Sequence, residues 1–219
     1  MTVVFQGSLF SEPEASEPSE ASSDGLPALD GAVRTHLGYG AWIDVLPGWL
    51  PGPDAVFEHL AQTAPWRAEE REMYERTVGV PRLLAHYGER AELPHPLLAP
   101  ARAALNAHYA AEPGGPFRTA GLCYYRDGRD SVAWHGDRFG RGRTEDTVVA
   151  ILSVGEPRAL LLRPRGGGGG PATVRLALGH GDLLVMGGSC QRTWDHAVPK
   201  TARPVGPRIS IQFRPRGVA

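Results

Sequence analysis

A histidine and an aspartate stand two residues apart in Trp134-His135-Gly136-Asp137. On an extended strand residues i and i+2 project from one face, so the imidazole of His135 and the carboxylate of Asp137 are expected to point together. A second imidazole, His196, comes much later, in Arg192-Thr193-Trp194-Asp195-His196. Two imidazoles and one carboxylate are the donor set of a facial triad, which grips Fe(II) from one side and leaves positions open for a co-substrate and oxygen. The same donor types also suit zinc.

A third element of the pattern is cationic. In Arg208-Ile209-Ser210-Ile211-Gln212-Phe213-Arg214, period-two alternation places Ile209, Ile211 and Phe213 on a core face. Arg208, Ser210, Gln212 and Arg214 then share the other face. Two arginines on a strand otherwise built for burial call for acidic partners, because a buried unpaired charge is costly. A dicarboxylate co-substrate answers that need, since guanidinium binds carboxylate in bidentate fashion.

The elements that must position these residues are short. Pro53-Asp54 opens a helix with Asp54 as N-cap and Val56, Phe57 and Leu60 on one face. A second helix is predicted over 95–110, where Leu97, Leu98, Ala101, Leu105 and His108 recur at helical spacing. After Pro116 the texture becomes β: strands are predicted at 119–126, 131–137, 147–154, 158–164, 173–178, 182–186, 194–199 and 208–214. The five glycines at 166–170 mark a loop. Eight short strands behind a helical front end predict a mainly β fold with N-terminal helices (α+β), a double-stranded β-helix or jelly roll.

The order His135-x-Asp137, then His196, then Arg208-x5-Arg214 resembles the signature of the AlkB-like Fe(II)/2-oxoglutarate-dependent dioxygenases. The segment Tyr125-Arg126-Asp127-Gly128-Arg129-Asp130-Ser131-Val132-Ala133-Trp134-His135 resembles the family's approach to its metal motif. Val80-Pro81-Arg82 and Tyr87-Gly88 are similar to its substrate-side entry, so the likeness covers roughly 65–217. It implies that His135, Asp137 and His196 ligate Fe(II). It implies further that Arg208 and Arg214 bind the carboxylates of 2-oxoglutarate, with Tyr125 hydrogen-bonding to it.

The implied activity is oxidative removal of alkyl groups from nucleobases, consuming 2-oxoglutarate and O2 and releasing formaldehyde, succinate and CO2. A base held in a duplex must be flipped out first. Trp66, Tyr74, Tyr87 and Trp134 are candidates to stack on it. Two positions depart from the family. Cys123 stands where Asn is common, which removes or replaces a co-substrate contact. Phe139 stands where many members carry an acid near the target base. His36, His59, His86, His95, His108 and His180 match no motif and are read as surface or turn residues. The same core acting on a protein or small molecule is the alternative reading, and a non-catalytic jelly-roll binding module is a third.

Residues 1–30 carry six acids and no Lys or Arg, which leaves 23 basic against 18 acidic residues in the remainder of a chain of net charge −1. That balance permits a polyanionic partner without demanding one. The stretch Ser11–Leu29, rich in Ser, Pro and Glu, is expected to be a disordered tether ahead of a domain over 31–219. Ahead of it, Gln6-Gly7-Ser8-Leu9-Phe10 resembles the pentapeptide with which bacterial proteins dock on the sliding clamp, Gln6 at the rim and Leu9 and Phe10 in an apolar pocket. Cys123 and Cys190 have no zinc-type spacing and read as reduced thiols. With no signal peptide or membrane-length apolar run, the expectation is a cytoplasmic monomer with no membrane partner.

Overall fold

A computed structural model describes residues 3–4, 25–73, 76–137, 140–166 and 172–218. The clamp-type residues Gln6, Leu9 and Phe10, together with Tyr74, Phe139 and 167–171 of the glycine loop, lie outside the described residues. The described strands are β1 (Val3–Val4), β2 (Val33–Gly38), β3 (Ala41–Leu46), β4 (Arg67–Met73), β5 (Arg76–Tyr87), β6 (Phe117–Tyr125), β7 (Val132–His135), β8 (Val149–Gly155), β9 (Arg158–Pro164), β10 (Val174–Leu178), β11 (Asp182–Gly188), β12 (Trp194–Val198) and β13 (Arg208–Pro215). The helices are α1 (Pro53–Thr63), α2 (Leu98–His108) and the single turn α3 (Cys190–Thr193).

The strands form two sheets, β1-β10-β9-β12-β7 and β2-β3-β11-β8-β13-β6-β5-β4. Within them lie four strands of each layer, β10-β9-β12-β7 against β11-β8-β13-β6, the expected jelly roll. The front end is less helical than expected. Two hairpins, β2–β3 and β4–β5, flank α1 and extend the larger sheet at either edge by pairing with β11 and β6. They close off edges that would otherwise offer unpaired backbone groups.

Both faces of the large sheet are covered. One packs on the helices, where Val56, Leu60, Leu98, Ala101 and Leu105 meet Leu122, Leu152, Ile209, Ile211 and Phe213. The other faces the small sheet through Tyr125, Ile151, Leu160, Leu162, Leu184, Met186 and Trp194. Double coverage explains why Val149–Val154 of β8 is buried at every position rather than at alternate ones. Burial of Ile209, Ile211 and Phe213 contributes on the order of 1.5–3 kcal/mol each and sets the register of β13. A slip of one residue would exchange its apolar and cationic faces.

Two local expectations need correction. Asp54 is not the cap of α1: Gly52 takes the N-cap position in the left-handed region, Pro53 follows at N1, and Asp54 Oδ1 lies 3.0 Å from His180 Nε2. Pro53 fits because its missing N–H has no helical partner there. The packed chain also begins ahead of the expected boundary at Gly31, since Leu26 and Leu29 are buried in the helix-side core.

Candidate active site

The polar row of β13 faces the space between the sheets. Antiparallel pairing sets Arg208 beside Tyr125 of β6, Ser210 beside Cys123 and Gln212 beside Gly121. Across that space β12 and β7 pair with His196 opposite His135. The imidazole centroids are 4.2 Å apart, and one ligand atom each from His135, Asp137 and His196 lie within 4.8 Å of one another. Three donors at that spacing can hold one metal ion.

The local backbone explains how His135 is aimed. Between the pairs His196–His135 and Val198–Val132, β7 has one residue more than β12, the mark of a bulge. The bulge brings the Ala133 carbonyl oxygen 2.9 Å from His135 Nδ1. A carbonyl only accepts, so Nδ1 carries the proton and Nε2 keeps its lone pair. Asp137 lies past the end of β7, shorter than the expected 131–137. A backbone turn rather than strand alternation carries its carboxylate to the same place, with Oδ1 3.9 Å from His135 Nε2.

Asp137 is held from two sides. Arg214 Nε donates to Oδ2 at 2.7 Å, and the Asp137 backbone N–H donates to Gln191 Oε1 at 3.0 Å. Burial opposes ionisation of this carboxyl, yet the charge and hydrogen bond of Arg214 hold it down at about 2. Burial, and then His135, hold His196 down at about 3, so its imidazole stays neutral. Burial, and then Asp137, push the Cys190 thiol up to about 12, and the clustered donor atoms are those of His135, Asp137 and His196.

The arginines differ from one another. Arg214 already has an acidic partner within the chain, Asp137, whereas Arg208 Nη1 has no partner among the described residues. Arg214 Nη2 also donates to Gln212 Oε1 at 2.8 Å, and Gln212 Nε2 reaches Ser210 Oγ at 3.2 Å and Cys123 Sγ at 3.4 Å. A carboxamide thus sits against the thiol that stands in the place of the usual Asn. Arg208 is 2% exposed, donates Nε to Ser153 Oγ at 2.9 Å, and leaves Nη1 buried without a partner among the described residues. Its guanidinium carbon lies 5.5 Å from the Tyr125 ring centroid, with that of Arg158 at 5.7 Å.

Arg158 is the structural member of that pair. It donates to the carbonyls of Asp127, Asp130 and Pro199, tying the turn before β7 to the residue after β12. Ser131 is bracketed as well: its N–H donates to the Pro81 carbonyl and its own carbonyl accepts from Arg82. The proposed entry segment of β5 is therefore fastened to the start of the metal strand.

Of the stacking candidates, Trp66 and Tyr87 pack in the helix-side core, away from the imidazoles. Trp134 lies beneath the guanidinium of Arg163 at 4.2 Å. Gln191, Arg158 and Ser153 were not singled out from sequence. Ser153 is a lone hydroxyl in an apolar strand, and Gln191 and Arg158 lie among other polar or turn residues with no periodicity to mark them.

The sequence pattern of the 2OG-Fe(II) oxygenase superfamily matches residues 45–214. Human alpha-ketoglutarate-dependent dioxygenase alkB homolog 3 is 31% identical, over 95% of this chain and 80% of its own length. The Bos taurus form is 34% identical over 78% of this chain and 66% of its own. The Arabidopsis thaliana DNA oxidative demethylase ALKBH2 is 29% identical over 94% and 74%. In three dimensions the chain is similar to OsALKBH1, with TM-score 0.54 and 15% identity over 82% of this chain and all of that one. It is also similar to a 2OG-Fe(II) oxygenase family oxidoreductase from Burkholderia pseudomallei, with TM-score 0.53 and 15% identity over 78% and 84%.

Proposed function

Because the chain belongs to the 2OG-Fe(II) oxygenase superfamily, we propose that His135, Asp137 and His196 bind Fe(II) and that Arg208, Arg214 and Tyr125 bind 2-oxoglutarate. The observation that carries this reading is the buried, partnerless Nη1 of Arg208 on the same inner face as the His–Asp–His cluster. A cation is stable there only if an anion arrives to meet it. The donor set also fits iron, since two neutral imidazoles and one carboxylate leave much of a six-coordinate sphere free.

When bound, Fe(II) with 2-oxoglutarate and O2 supplies the oxidising chemistry. The protein's part is positional. Ala133 fixes the His135 tautomer, burial keeps His196 neutral, Arg214 occupies Asp137 Oδ2 so that Oδ1 is left for the metal, and Arg208 neutralises a carboxylate. The two packed sheets exclude bulk water around these charges, which strengthens each interaction.

The proposed substrate is an N-alkylated base in nucleic acid, with the alkyl carbon leaving as formaldehyde and 2-oxoglutarate becoming succinate and CO2. The similarity to proteins named as DNA oxidative demethylases supports this choice. The test is formaldehyde release from DNA and RNA oligonucleotides carrying 1-methyladenine, 3-methylcytosine or ethenoadenine (the last scored as base repair), with His135→Ala as the blank. No product from any of them, while 2-oxoglutarate is still consumed with another substrate, would move the function to a protein or small-molecule hydroxylase. The same proposal includes a cytoplasmic monomer, in keeping with two buried free thiols, tethered to the sliding clamp through Gln6, Leu9 and Phe10. Among the described residues no helix is long and apolar enough to cross a membrane.

A further inference from the structure

Gln191 is out of place as a stabilising residue. It sits in the one-turn helix α3, 1% exposed, and its Nε2 is sealed from solvent with no hydrogen-bond partner among the described residues. Leaving a buried amide N–H unmade is costly, and the single bond through Oε1 does little more than offset the desolvation of that oxygen. An apolar side chain of similar volume would remove the unmet Nε2 but orphan the Asp137 N–H, two comparable costs of about 1–3 kcal/mol, so stability alone gives little reason for glutamine. The amide must therefore be explained by what Oε1 touches, which is the backbone N–H of Asp137.

That contact lies at a place the sheet does not support. β7 ends at His135, so the ladder that fixes the first proposed ligand no longer fixes the third. Below Asp137, Gly142 leaves no room for a β-carbon beside the Asp137 carbonyl, so the loop is packed but not hydrogen-bonded there by the sheet. The platform carrying Gln191, by contrast, is anchored. Ser189 Oγ bonds the Tyr39 carbonyl in the β2–β3 turn, Thr193 Oγ1 donates to the Ser189 carbonyl at 3.0 Å, and buried Trp194 leads directly into His196. One turn of helix thus reaches two of the three proposed ligands, His196 through the chain and Asp137 through the Gln191 amide.

We propose that Gln191 is a positioning residue for the metal centre: by accepting the Asp137 N–H it sets the carboxylate at the height of the two imidazoles, at the expense of an unpaired amide N–H. This rests on the reading that His135, Asp137 and His196 bind the metal. Partners of this kind, acting behind the ligands, typically change metal affinity 10–100-fold when removed.

The experiment is calorimetric titration of the metal-free full chain with Mn(II), alongside thermal melting of the same metal-free samples. Gln191→Met should raise the Mn(II) Kd about 10–100-fold while the metal-free melting temperature changes by no more than a few degrees. Gln191→Glu, which keeps an acceptor oxygen for the Asp137 N–H, should recover most of that affinity. Unchanged Mn(II) affinity in Gln191→Met overturns the inference, as does a loss confined to melting temperature or a Glu variant no better than Met. If the parent binds Mn(II) no better than His135→Ala does, the metal reading itself fails, and that outcome is distinct from the others.

Discussion

Replacing Arg208 with methionine should move two properties in opposite directions. In the metal- and co-substrate-free protein Arg208 is a fully buried cation whose Nη1 has no partner and whose Nε bond goes to a neutral hydroxyl. No described carboxylate lies within ion-pair distance of it, and burial lowers the guanidinium below its usual proton affinity. Methionine fills a similar channel without a charge to desolvate. Removing an unsatisfied buried N–H gains about 1–3 kcal/mol, and orphaning the Ser153 hydroxyl returns about 1 kcal/mol. The net gain of about 0–2 kcal/mol corresponds to a rise of up to roughly 8 °C for a chain of this size.

Under the proposed assignment, bound 2-oxoglutarate makes Arg208 one half of a buried ion pair, whose breakage costs about 3–5 kcal/mol. At 1.4 kcal/mol per decade that is a Kd higher by about two to three and a half orders of magnitude. Differential scanning of the metal-free protein and calorimetric titration of the Mn(II)-loaded protein with 2-oxoglutarate read the two effects. A variant that melts several degrees lower, or that keeps 2-oxoglutarate affinity within threefold of the parent, would falsify the assignment of Arg208 as a waiting counter-charge.

Arg214→Ala should differ from Arg208→Met by weakening Mn(II) as well as 2-oxoglutarate, because Arg214 holds Asp137 Oδ2. Mn(II) titration showing full metal affinity in Arg214→Ala contradicts that role. Stability of the metal-free protein should fall with acidity in a defined window. His196 is held at about 3 in the fold against about 6.5 unfolded, so the unfolded chain binds the extra proton between those values. His196 therefore favours the fold fully only above about pH 6.5, and that contribution declines by up to about 1.4 kcal/mol per pH unit as pH falls towards 3. Urea unfolding from pH 7.5 to 5 should show a shallower slope in His196→Gln, and equal slopes refute the linkage. A labelled peptide of residues 1–15 should bind purified sliding clamp in fluorescence anisotropy and lose that binding with Leu9→Ala and Phe10→Ala together. No binding at tens of micromolar ends the tether proposal.

Much of this architecture is legible in the linear chain because its signals are local. Alternation in Arg208–Arg214 separates the core face from the site face, since a strand turns each successive side chain over. The eight jelly-roll strands show as short β-type runs between glycine and proline turns, and the spacing of His135, Asp137 and His196 identifies three donors before any geometry is known. The four flanking strands left no such trace. β4 reads Arg-Ala-Glu-Glu-Arg-Glu-Met, charged at five of its seven positions, because an outermost strand is held by backbone pairing rather than by a buried face.

Other features were decided only by the three-dimensional arrangement. The bulge that turns Ala133 towards His135 depends on a register mismatch with β12, and register is a property of two strands. That Arg214 already has its carboxylate while Arg208 does not depends on where the turn after His135 carries Asp137. Gln191 has no pattern at all: its meaning is one hydrogen bond to a residue distant in the chain. Residue types and spacings determined which chemistry was possible. Which atoms were left without partners, and therefore where metal and co-substrate have something to satisfy, was determined by packing, because an unmet hydrogen bond or charge exists only once water has been excluded around it.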